Sequence, residues 1–171
     1  HDDGTVMIGI QFQGEKHINV PLVLTHQRGE PDFKPLIMPN DQWQRFHQYI
    51  ASVAVDSERN LLCVTTPIGG CAAIYDLNTR TLIDDISLPD CAGAAVLPNQ
   101  NADKAGVNNA NVNFKAKAQS GFIVSDGQGQ LTALTVNHLA TAELARVDNV
   151  ERIFIDSKYH LMSFDNHLQA L

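Results

Sequence analysis

Between residues 51 and 89 the chain fits four short apolar runs, "SVAV" (52–55), "LLCVTT" (61–66), "CAAIYD" (71–76) and "LIDDISL" (82–88). Runs this short, rich in β-branched residues, read as strands rather than helices. The spacers "DSERN", "PIGG" and "LNTRT" are made of turn residues, so each strand folds back on the one before it. The unit takes about 40 residues, the period of a four-stranded propeller blade of the WD40-like kind. That repeat constrains the fold more than any other feature.

A second copy follows, stretched by an insertion. "GAAVL" (93–97) matches "SVAV" as an inner strand, and "GFIVSD" (121–126), "QLTALTV" (130–136) and "TAELARV" (141–147) supply three more. Between them, residues 99–119 are rich in Asn and Ala and have no period, which predicts a mobile loop. Residues 150–171 predict two or three further strands with a turn at "DSKYH".

Upstream, "TVMIGIQF" (5–12), "PLVLTH" (21–26) and "KPLIMP" (34–39) are strands separated by Gly, Pro and charged residues. "NDQWQRFHQYI" (40–50) predicts one short helix, capped by Asn40 or Asp41. Trp43, Phe46, Tyr49 and Ile50 would fall on its core-facing side. The expected fold is all-β: a partial β-propeller of about three to four blades with that helix at 40–50. The blade-like units are 1–39, 51–89, 91–147 and 148–171, within a single domain over 1–171. Asp2, Asp3 and Gly4 read as a turn that should follow a strand, so the chain is expected to be a fragment that starts inside a repeat.

The bulk properties narrow the function classes. At 171 residues, 44% hydrophobic and 18% charged, the chain can bury a core without crosslinks. A net charge of -7 argues against a nucleic-acid partner, which requires clustered Lys and Arg. No apolar run approaches the roughly 18 residues of a membrane span. Cys63, Cys71 and Cys91 show neither a CxxC pair nor metal-ligand spacing. A turn at 67–70 pairs position 63 with about 74, so Cys63 and Cys71 are offset and three free, buried thiols are expected.

Several stretches resemble one family: residues 43–83, "FDNHL" (164–168), "IGIQFQG" (8–14), "LTHQRG" (24–29) and "LPDCAGAA" (88–95). It is a bacterial family with a domain of unknown function, similar to seven-bladed β-propellers and exported with a twin-arginine signal. Its members are found beside imelysin-type proteins of iron uptake. The likeness spans nearly the whole chain except 99–119 and 147–163, and corresponds to the C-terminal half of a full-length member. It implies a periplasmic location and inner strands that begin at Ala51-Ser52, Cys91-Ala92-Gly93 and Asn166-His167. By the same likeness, "NHLQAL" (166–171) would be the last inner strand, closing the ring with a blade from the N-terminal half.

Candidate site residues follow from that placement. Asp165 and His167 are two apart on a strand and share a face, so at a channel mouth they could ligate a metal or a polar ligand. The plainer alternative has Asp165 accepting backbone N–H bonds and His167 packing. Cys91 and Ser52, at the starts of inner strands, are the other channel-facing candidates. Outside the channel, His26 precedes a Gly turn, and Gln11 and Gln13 share one strand face. "TPIGG" (66–70) lacks the Lys and following helix of a phosphate loop. No G-x-S-x-G elbow is present.

Three expectations result. The first is a non-catalytic periplasmic binding or scaffold protein linked to iron or metal acquisition, with a periplasmic protein of iron uptake as partner. Its metal and cofactor are unassigned. The alternative is a metal-dependent propeller hydrolase or oxidase with several side chains converging on the central channel. The third concerns exposed β edges, covered by the N-terminal half of the same propeller or by self-association.

Overall fold

The computed structural model describes residues 1–97, 120–141 and 144–156. Three antiparallel sheets account for the described strands. The first orders β1 (Val6–Gly9), β2 (Val23–His26) and β3 (Lys34–Pro35) side by side. In the second, β4 (Ser52–Asp56), β5 (Leu61–Thr66), β6 (Cys71–Asp76) and β7 (Thr81–Ser87) form a meander. The third repeats that order with β8 (Cys91–Val96), β9 (Ser120–Asp126), β10 (Leu131–Thr141) and β11 (Leu144–Asp156). β11 runs unbroken through residues 147 and 148. The all-β class holds, and the three stacked sheets are consistent with propeller-like blades. No described helix is long and apolar enough to cross a membrane.

The register follows from the turns. Cys63 lies opposite Ile74, as the turn at 67–70 requires, and Cys71 pairs instead with Thr66. At the ends of three strands an aspartate organises the turn. Asp56 Oδ1 accepts from the Arg59 N–H at 3.1 Å, and Asp76 Oδ1 from the Asn78 N–H at 2.8 Å. Asp126 Oδ1 accepts from Gln128 and Gln130, each at 2.9 Å. Each turn closes through a residue in the left-handed region: Asn60 (φ 55°), Arg80 (φ 63°) and Gly129 (φ 85°).

Strand alternation sends side chains of the middle sheet to both neighbours. Leu62 and Val64 of β5, with Cys71, Ala73 and Tyr75 of β6, join Leu22, Val23, Trp43 and Phe46 in one core. Leu61, Cys63, Ala72 and Ile74 face the other way and meet Cys91, Phe122, Val124 and Leu134 of the third sheet. Every residue of β5 is buried, which is why the sequence reads there as a continuous run instead of an apolar–polar alternation.

The first sheet aligns with the later strands of the second. The turn at 1–4 touches the β4–β5 turn: Asp2 N donates to Ser57 Oγ at 3.1 Å, and the His1 ring lies 2.8 Å from Asn60 Oδ1. At the outer edge Ile37 bridges Thr81 in parallel. Thus β1, β2 and β3 occupy the places of β5, β6 and β7. Among the described residues, none fills the place of β4 in the first sheet.

The segment 40–50 departs from its expected form. In place of one capped helix it makes two 3-10 turns, Pro39–Asp41 and Trp43–Phe46, without a side-chain cap. Asn40, Asp41, His47 and Gln48 all take positive φ. Tertiary bonds win over local propensity here. The Arg45 guanidinium donates to Asp85 Oδ2 at 2.8 Å and to the Gly69 carbonyl. Beyond it, Phe12 N donates to the Gln48 carbonyl and Ile50 N to the Ile10 carbonyl, pulling the segment into extended backbone. The apolar stripe still reaches the core: Trp43, Phe46 and Ile50 are buried.

Candidate binding cleft

Asp165 and His167 lie outside the described residues, as do residues 99–119, where a loop is expected, and "NHLQAL", expected as an inner strand. The other sequence candidates have structural partners or lie scattered. Ser52 opens β4, and its hydroxyl oxygen accepts from the Ala94 N–H at 3.2 Å, joining it to β8. Cys91 opens β8 but is 1% exposed, within the core between the second and third sheets. Its thiol points at the Thr66 carbonyl, 3.9 Å away. His26 packs against Phe33 with ring centroids 4.9 Å apart and lies 3.1 Å from the Glu30 carbonyl, so it holds the turn between β2 and β3. Gln11 and Gln13 are exposed, and the backbone of Gln11 bridges Tyr49.

The three cysteine thiols and the Ser125 hydroxyl are withdrawn from solvent. All three cysteines are free and buried. Burial pushes the Cys91 thiol up to about 11 and the Cys71 thiol to about 12, and raises Cys63 further. A thiol held protonated in this way is a poor nucleophile. The buried Ser125 hydroxyl accepts from the Gly93 N–H at 3.2 Å. Among the described residues no three His, Cys, Asp or Glu side chains gather to hold a metal ion.

The surface around the 40–50 segment is different. Lys16, His17, Gln44, His47, Gln48 and Ile68 line an open cleft of about 770 Å³. Three separate stretches build it. Residues 15–18 form a turn, closed by the Ile18 N–H on the Glu15 carbonyl at 3.0 Å. The Gln48 carboxamide fastens that turn, donating to the Glu15 carbonyl at 2.9 Å and the Ile18 carbonyl at 3.4 Å. Ile68, 64% exposed, comes from the β5–β6 turn.

His47 (φ 47°) and Gln48 (φ 62°) are consecutive non-glycine residues in the left-handed region. Such backbone costs about 1–3 kcal/mol per residue and clusters at binding and catalytic sites. A second, smaller cleft of about 450 Å³ adjoins through Gln44 and is lined by Asn19, Asn40, Asp41, Gln42 and Arg45. There Asn19 Nδ2 donates to Asp41 Oδ2 at 3.0 Å.

None of Lys16, His17, Gln44, His47, Gln48 and Ile68 stands out in the sequence. Left-handed backbone at His and Gln has no residue signature, and the three stretches meet only through the tertiary fold. The one available signal was the turn "PIGG", which exposes an isoleucine.

Comparison with known proteins gives a family without an activity. A family model described as a protein of unknown function (DUF1513) matches residues 1–116, a span that includes β1 to β8 and all six cleft residues. Among curated proteins, none matches the chain. A match over more than half its length shows that the chain belongs to the DUF1513 family of proteins of unknown function.

Proposed function

We propose that this protein is a non-catalytic binding or scaffold module that works in metal acquisition, with iron as the metal, in the bacterial periplasm. The observation that carries the binding role is the cleft at Lys16, His17 and His47, with His47 and Gln48 in left-handed backbone at its wall. The buried, protonated thiols add support, since none of the three cysteines is an activated nucleophile. The iron link, twin-arginine export and the periplasmic location rest on the resemblance at 8–14, 24–29, 43–83, 88–95 and 164–168. The partner would be a periplasmic protein of iron uptake.

A ring of WD40-like blades would also account for the first sheet, where β1 pairs with β2 on one side only among the described residues. The strand beside β1 would come from the N-terminal half of the same propeller or from a second copy. A ligand that binds only the folded state raises stability, by about 2.7 kcal/mol at a hundredfold excess over Kd. Thermal unfolding of the full-length protein with ferric iron or haem should therefore shift to higher temperature. Unchanged midpoints with both, together with no partner retained from a periplasmic extract, would remove the support for this reading.

A further inference from the structure

We infer that the cleft beside His47 takes a small polycarboxylate anion, an assignment that rests on the binding-module reading and names its ligand class. The chain has 19 Asp and Glu against 12 Lys and Arg, yet among the described residues that line this cleft none is a carboxylate, Glu15 standing next to it against His17. Its polar walls are an ammonium, two imidazoles and two carboxamides. On an acidic molecule a concave patch of donors concentrates anions locally.

The charges around it set which groups act. Glu15 Oε2 lies 3.4 Å from His17 Nε2 and occupies that ring nitrogen. Arg45, at the neighbouring cleft, is committed to Asp85, Ser87 and the Gly69 carbonyl. Asp41 is engaged by Asn19. Lys16 and His47 are therefore the principal anion-facing groups, with Gln44 as a neutral donor.

Carboxylate fits better than phosphate. Phosphate sites are usually built from backbone N–H groups at helix N-termini or nests, and no α-helix N-terminus stands among the described residues of this cleft. Ile68 adds an apolar wall for a carbon skeleton. The volume lies within the range of small-molecule sites. His47 and Gln48 hold this wall in left-handed backbone, fixed by the bonds of Gln48 to residues 12, 15 and 18.

The test is calorimetric titration of the full-length protein with propane-1,2,3-tricarboxylate at fixed ionic strength. Saturable binding is expected, weakened at least tenfold by Lys16→Gln and by His47→Gly. Arg28→Gln, at an exposed site outside the cleft, should leave it unchanged. His47→Gly should also raise the unfolding midpoint, so a loss of binding in that variant could not be blamed on misfolding. Absence of saturable heat, an equal loss in Arg28→Gln, or inorganic phosphate binding as tightly as the tricarboxylate would each overturn the assignment. The two readings fail separately. If the tricarboxylate does not bind but a periplasmic partner is retained by the native protein and lost with Lys16→Gln, the ligand class falls and the binding module stands.

Discussion

At the scale of residues, burial decides most of the chemistry. The thiols of Cys71 and Cys91 have an ordinary value of 9.0 and are raised by burial to about 12 and about 11. In the unfolded chain they lose their protons near pH 9, while the folded protein keeps them to about pH 11. Over that window the unfolded state binds fewer protons, so stability is intact below pH 9 and falls as pH rises. The slope is at most about 1.4 kcal/mol per pH unit for each thiol. Urea unfolding at pH 8 and pH 10 should show a lower midpoint at pH 10, and Cys91→Ala should reduce the difference. Equal midpoints would contradict the buried, protonated thiols.

Phe46 marks another residue-scale test. It is 0% exposed, packs edge-on against Trp43 at 5.9 Å, and its carbonyl accepts from Thr66 Oγ1 at 2.9 Å. Phe46→Ala should cost about 3–5 kcal/mol in chemical denaturation. A loss below about 1 kcal/mol would mean that the 43–46 turn is not anchored in the core.

At the scale of elements, the strands were legible because turn chemistry and strand length are local properties. The turns "DSERN", "LNTRT" and "PIGG" mark the meander from β4 to β7, and the offset of Cys63 from Cys71 follows from counting across the last of them. The 40–50 segment was legible only in what it buries. Its aromatic spacing suits a 3-10 turn as well as an α-helix, and the bonds of Arg45 to Asp85 and Gly69 that decide between them span 40 and 24 residues. Close packing between strands gives the sharpest prediction at this scale. Gly121 lies opposite Thr135, where an added Cβ would stand 2.0 Å from the Leu134 carbonyl oxygen. Gly121→Ala must displace the β9–β10 pair, at a cost of at least about 1–3 kcal/mol. Near-native stability in that variant would refute the register of the third sheet.

For the whole molecule, the repeat of short strands carried the fold class, while the cleft depends on residues 15–18, 44–48 and 68 meeting in space. No local pattern announces such a meeting, and the left-handed conformation of His47 and Gln48 is imposed by the bonds that Gln48 makes to residues 12, 15 and 18. Asp165 and His167, the pair most conspicuous in the sequence, lie beyond the described residues, so the channel reading depends on the resemblance alone. The side of β1 that has no strand partner among the described residues belongs to this scale too. Light scattering on this 171-residue chain at high concentration should report self-association, and a monomeric mass would count against pairing through that edge.

The central claim is that the protein works by holding something. Native mass spectrometry of the protein purified from its native host reads this in one measurement. The account predicts a mass above that of the bare chain by a stoichiometric metal, haem, small ligand or protein partner. A bare, ligand-free monomer would contradict it.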